Sequence, residues 1–293
     1  MANFIDPPTG RRISTTTIDV PVGGTTLVGL WGFKDQSGKP LTIIAGPYVD
    51  VTLVSETGDT RIYQLFGKTL GQTTRVEAEN STGATWDWIN AAIVQTPLQT
   101  LLSAAKSGKL AFQNGSDLRT LNDIDAGRSK VRLSNGVTNL LTTLLDAGQL
   151  GVLSLVRVGQ GPHGEKDASG GVVCRAVDIS SFRGAPVTLS DRGKAIDVVT
   201  SLLKNFPAGS YDLGFPRPVG GPTGFDASSD VFFSVPDVET AGRCYAGRIA
   251  VPLTTMLEPA RSAVSTAMAH SAADFNLLYP DGLNHLHVKV LGD

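Results

Sequence analysis

The sequence predicts an α+β chain in two parts: an immunoglobulin-like β-sandwich over residues 1–95 and an α+β domain over residues 96–293. Three observations carry this. Short apolar runs punctuated by turn residues fill the first part. Thr96 and Pro97, a helix cap and a first-turn proline, then open the first helical pattern. All four histidines and both cysteines lie beyond that point.

In the first part the apolar runs are Ile18–Val20, Thr26–Trp31, Tyr48–Val54, Arg61–Leu65 and Trp86–Asn90. Gly23-Gly24, Ser37-Gly38-Lys39-Pro40, Thr57-Gly58-Asp59 and Ser81-Thr82-Gly83 separate them. Strands at this spacing suggest a small sandwich. Its carboxylates lie near turns, where solvation accounts for them. This part reads either as a docking module or as a spacer.

The second part opens with a short helix that Gly108 stops. Asn114-Gly115-Ser116-Asp117 reads as a turn. A second helix starts at Ser134-Asn135-Gly136-Val137, carries Leu140, Leu141, Leu144 and Leu145 at helical spacing, and stops at Gly148. Val152–Val158 reads as a strand, followed by a glycine-rich loop holding His163. Gly171–Ile179 is a second apolar strand. Ser190-Asp191-Arg192 starts a third helix, with Ile196, Val199, Leu202, Leu203 and Phe206 as its buried stripe; Asp197 is an exposed charge on it. The Gly/Pro stretch from Pro207 to Phe225 is a candidate wall of a cleft, since long irregular loops are often functional. Val231–Val235 reads as a strand and Pro259–Ala273 as a helix, on which His270 is a surface or core residue.

The last strand pattern, Asp281–Val290, brings in the chemistry. Leu286, Val288 and Val290 alternate with His285, His287 and Lys289, so both histidines share one face. Paired imidazoles on a pleated surface can form a metal corner or a solvated edge. Asp178 sits among strand formers, where an unpartnered charge is costly, so a metal or an arginine is expected beside it. Two histidines and one carboxylate, with a position left for water, is the donor set of catalytic rather than structural zinc.

His163, then Arg175-Ala176-Val177-Asp178-Ile179, then His285-Leu286-His287 resembles the zinc peptidases of the D-alanyl-D-alanine carboxypeptidase and murein endopeptidase group, whose fold the hedgehog signalling domain shares. The resemblance implies a peptidase domain with a mainly antiparallel sheet and zinc held by His163, Asp178 and His287. It implies that Asp281, four positions before His285, is the general base. His285 and Arg157 would stabilise the oxyanion. Glu239 and Glu258 are reserve candidates for the base. Fifteen positions separate His163 from Asp178, and the polar insertion between them is expected to loop out. The implied reaction is zinc-dependent hydrolysis of a peptide bond in bacterial peptidoglycan, which would make the first part a docking or wall-binding module.

Composition bounds the partners. The net charge of −2 over 293 residues argues against nucleic acid. No apolar run is long enough for a membrane helix, and the first residues lack the pattern of a secretory signal. Cys174 and Cys244 read as buried free thiols rather than a bridge. The expected biology is a protein made in the cytoplasm that acts in the periplasm or cell wall of a target bacterium. It would be an antibacterial effector toxin of a type VI-type secretion system, with a secretion-machine component and an immunity protein as partners. The competing expectation is a non-catalytic, metal-stabilised binding protein, such as an adhesion or spike-tip component.

Overall fold

The computed structural model describes residues 16–31, 37–58, 60–79, 81, 85–217, 231–234, 251–281 and 284–292. Over them the chain is mixed α and β, with mostly antiparallel sheets and five helices among the described residues. It divides between Thr96 and Pro97 into two compact units.

The first unit contains β1 (Thr16–Pro21), β2 (Thr25–Trp31), β3 (Thr42–Ala45), β4 (Val49–Thr57), β5 (Thr60–Gly67), β6 (Thr73–Glu79) and β7 (Thr85–Val94). These form two sheets, β1-β7-β6-β3 and β2-β5-β4. β1 runs parallel to β7 and the other pairs are antiparallel. Both sheets contribute to one core, with Val20, Ile43, Val76 and Ile93 from the first and Val49, Tyr63 and Leu65 from the second. β3 and β6 were not among the expected strands. Their signal is weak: β3 is only four residues long, and in β6 only Val76 and Ala78 are apolar, with Thr74, Val76 and Ala78 turned inward while Thr73 and Arg75 face out.

The second unit begins with α1 (Pro97–Lys106), β8 (Leu110–Phe112), α2 (Gly115–Asp125), β9 (Val131–Leu133), α3 (Asn135–Ala147) and β10 (Leu150–Ser154). A 3-10 turn at Gly161–His163 follows, then β11 (Glu165–Lys166), β12 (Val172–Cys174), β13 (Ala176–Phe182), β14 (Ala185–Pro186), α4 (Arg192–Leu203) and β15 (Gly209–Pro216). After further chain come α5 (Ala260–Ser271), β16 (Ala273–Asp281) and β17 (Leu286–Leu291). Among the described residues the main sheet has the order β16-β15-β17-β13-β10-β8, with β14 on β13. One face carries Val177, Ile179, Leu213, Phe215, Leu286 and Val288 into a core shared with Leu140, Leu144, Val199, Leu202 and Val264 of the helices. Strand alternation therefore sends Asp178, Gly214 and His287 to the opposite face.

Several expectations are corrected. Asn114–Asp117 is not a free-standing turn: the Asn114 side chain accepts the Ser116 N–H and caps α2. Turns and helix caps use the same residues, because each needs a short side chain that bonds nearby backbone. The Gly/Pro stretch contains the eight-residue strand β15, whose Tyr211, Leu213 and Phe215 are buried. Gly171–Ile179 is two strands, broken at Arg175, in two different sheets. Asp281–Val290 is likewise split between β16 and β17. Residues 231–234 form only an isolated bridge, Phe233 to Met256. Cys174 is a buried free thiol whose S–H donates to the Leu155 carbonyl, and burial pushes it up to about 12. Cys244, Glu239 and the stretch from 218 to 225 lie outside the described residues.

Candidate metal centre

A row of paired positions crosses the main sheet: Ser154 on β10, Asp178 on β13, His287 on β17, Gly214 on β15 and Tyr279 on β16. Asp178 and His287 are thus held by register, each flanked by strands on both sides. Both are buried, at 0 and 2% exposure. His163 comes from outside the sheet. Leaving β10, the chain doubles back through Gly159-Gln160-Gly161-Pro162. The loop is closed by the Arg157 N–H on the His163 carbonyl and the Gly159 N–H on that of Gly164. A Cβ at Gly164 would lie 2.3 Å from the Arg157 carbonyl oxygen, so only glycine permits this closure. It sets His163 over the row, with 3% exposure.

The protonation of His163 follows from its partners. Its Nδ1 lies 3.0 Å from the Leu155 carbonyl. A carbonyl can only accept, so Nδ1 donates to it, and Nε2 is the ring nitrogen left to meet a metal. Nε2 faces Asp178 Oδ1 at 3.3 Å and His287 Nδ1 at 3.4 Å. His287 Nδ1 lies 2.7 Å from the same carboxylate oxygen. All three ligand atoms fall within 4.8 Å of one another. A tetrahedral ion with bonds of about 2.0–2.1 Å separates its ligand atoms by roughly 3.4 Å, and two of the three separations match. The group could therefore hold a metal ion. His287 Nε2 is buried with no hydrogen-bond partner among the described residues, a cost of about 1–3 kcal/mol.

Arg157 occupies the outer side of the carboxylate. Its Nη2 donates to Asp178 Oδ2 and its Nε donates to Ser154 Oγ at 2.7 Å. This leaves Oδ1 for the converging histidines. Burial would raise the Asp178 carboxyl, but hydrogen bonds from His163 and His287 and the charges of His163 and His285 outweigh it, holding the group well below the usual carboxylate range.

The remaining candidates surround the triad. Asp281 Oδ2 is 3.8 Å from His287 Nδ1 and partly exposed. It reaches there across β15 because position 214 has no side chain: a Cβ on Gly214 would lie 2.6 Å from Asp281 Cβ and 2.8 Å from Oδ2. His285 Nε2 is 3.6 Å from Asp178 Oδ1. Burial lowers its pKa, while the Asp178 and Asp281 charges pull the other way. Glu258, by contrast, is tied to Arg261 and Ser262 at the start of α5, and His270 is exposed on that helix.

Two residues of the site were missed from sequence. Gly214 hid inside the presumed loop, although a lone glycine in an apolar alternation is a known sign of close approach. Asp117 hid in the presumed turn. It is fully buried and accepts the Leu155 and Val156 N–H groups at 2.9 and 3.0 Å.

Comparison of the chain with family models, curated proteins and solved structures gives no match.

Proposed function

We propose that this chain is a zinc-dependent hydrolase of the D-alanyl-D-alanine carboxypeptidase and murein endopeptidase type, cutting peptide bonds in bacterial peptidoglycan. The observation that carries the reading is the convergence of His163 Nε2, Asp178 Oδ1 and His287 Nδ1 with a carboxylate, Asp281, 3.8 Å from the last of them. A purely structural centre has no need of that carboxylate. Two imidazoles and one carboxylate fit zinc by donor chemistry, and three protein ligands leave a position open. When bound, zinc supplies a Lewis acid that acidifies water and polarises a carbonyl.

The protein's own groups supply the rest. His163 is held in one tautomer by the Leu155 carbonyl. Asp178 is kept ionised by the histidines around it and turned by Arg157. Asp281 is placed to accept the proton of the attacking water and to return it to the leaving amine. His285, on the same face and half-buried, is placed to donate to the developing oxyanion. Arg157 is engaged with Asp178 and Ser154, so its first effect is to orient the carboxylate, and any oxyanion contact is secondary to that.

In the first unit, β2-β5-β4 and β3-β6-β7 follow the order of the B-E-D and C-F-G strands of an immunoglobulin-like sandwich, with β1 on β7. This supports a docking or wall-binding module ahead of the hydrolase. We read the whole as an antibacterial effector of a type VI-type system, acting in the periplasm or wall of a target cell and restrained in the producer by an immunity protein. Among the described residues no helix is long and apolar enough to cross a membrane.

The test is metal content by elemental analysis, followed by incubation with purified peptidoglycan and mass analysis of what is released. Muropeptides shortened at a D-amino acid are expected. A metal-loaded protein that releases none would instead be a binding protein, and iron in place of zinc would move the centre to a different chemistry.

A further inference from the structure

We infer that Asp117 is a positioning residue of the candidate metal centre, acting on His163 through the peptide group that joins Leu155 to Val156. The inference rests on the metal-centre reading above and deepens it. That single peptide group has its N–H on Asp117 Oδ1 at 3.0 Å and its C=O on His163 Nδ1 at 3.0 Å. A continuous line of hydrogen bonds therefore runs from carboxylate to peptide to imidazole. The second carboxylate oxygen takes the neighbouring Leu155 N–H at 2.9 Å.

The geometry explains why the chain leaves β10 here. In a strand, consecutive N–H groups point to opposite sides. At Leu155 and Val156 both point at one carboxylate, so the strand must end and the Leu155 carbonyl is turned toward His163. Asp117 is itself fixed: it lies in the first turn of α2, where the helix end favours negative charge, and its own N–H donates to the Asn114 carbonyl. Burial pushes its carboxyl up, while the Val156 and Leu155 N–H groups pull it back. Hydrogen bonds in series polarise one another. The carboxylate thereby strengthens the Leu155 carbonyl as an acceptor, holds His163 in the Nδ1–H tautomer and makes Nε2 a better ligand.

The test compares the full chain with Asp117→Asn, which has the same shape but offers an NH2 group to one of the two N–H donors. Leu121→Ala, a buried neighbour on α2, is the control for loss of packing alone. Two readouts are taken below the melting temperature of each variant. The first is Zn2+ affinity by competition with a chromophoric chelator; the expected loss in Asp117→Asn is about 10- to 100-fold, with Leu121→Ala unchanged. The second is the ring tautomer of His163 in metal-free protein, read from long-range 1H–15N correlations; the wild type is expected as Nδ1–H and Asp117→Asn as a mixture. If Asp117→Asn does not fold, Asp117→Glu, which keeps the charge a methylene further out, takes its place in both. Wild-type affinity and tautomer in a variant that merely melts lower would reduce Asp117 to an anchor for the end of β10 and overturn the inference. A wild-type protein that takes no Zn2+ defeats the metal reading instead, and the tautomer measurement then decides Asp117 alone.

Discussion

Asp178 and His287 face each other across the β13–β17 pair, with Oδ1 and Nδ1 2.7 Å apart. Their spacing is set by sheet register, so neither can move without disturbing a strand that has neighbours on both sides.

Removal of any one of the three ligands is expected to strip the metal. His163→Ala, Asp178→Ala and His287→Ala should each weaken binding by more than about a hundredfold, exceeding the usual effect of second-layer changes. His270→Ala, on the exposed face of α5, should leave it unchanged. Elemental analysis after dialysis decides this, and full zinc in the Asp178 variant would remove that residue from the centre.

Asp281→Asn should keep fold and metal and lose activity by about a hundredfold to ten-thousandfold, the usual range for a general base. The amide has the same shape but cannot accept a proton. Muropeptide release at the wild-type rate would place the base elsewhere. His285→Ala should lose activity only in part, because it leaves the base in place.

Gly214→Ala tests the route by which Asp281 reaches the site. The added methyl would lie 2.6 Å from Asp281 Cβ and 2.9 Å from the Tyr279 ring. Overpacking of this kind costs about 1–3 kcal/mol. The expected outcome is a lower melting temperature and an activity loss approaching that of Asp281→Asn, with metal affinity near wild type. Unimpaired activity would show that Asp281 need not occupy its observed position.

Acid should unfold the metal-free protein in a way that depends on Asp178. Its carboxyl is depressed in the folded state, so its contribution is present above the unfolded value of about 3.9 and is lost as pH falls toward the folded one. Melting temperature against pH, in chelator, should fall steeply on the acid side for the wild type. For Asp178→Asn it should fall less steeply from a lower plateau. Parallel curves would show that other carboxylates dominate the acid limb.

A fragment covering residues 97–293 should melt cooperatively and keep its metal, because the larger core and all three ligand candidates lie in the second unit. Loss of a cooperative transition by calorimetry would make the first unit part of the fold.

What could be read from the sequence was local. A histidine pair in strand alternation, or a carboxylate among branched residues, declares itself within a few positions. Ser134 and Asp191 signalled α3 and α4 in the same way, each accepting an N–H of its helix. What escaped was relational. Nothing near Asp117 indicates that it will meet Leu155, 38 positions away, and nothing near Gly214 indicates that a carboxylate will cross over it. The same limit applies to β15: its prolines and glycines suggested an open loop, whereas Gly209 and Pro216 in fact bound a buried strand.

The separation of the ligands along the chain has a consequence for timing. His163 and Asp178 are made long before His287, which lies 109 positions beyond Asp178. The three meet only after β17 has slotted between β13 and β15, a non-local pairing of the kind that slows folding. During synthesis the ribosome therefore presents a chain with two thirds of a chelating site and little means of retaining an ion. On the proposed reading, zinc would be captured only at the end of folding, where it would act as a latch on the assembled sheet. A producing cell that holds the protein short of that final docking would hold an apoprotein.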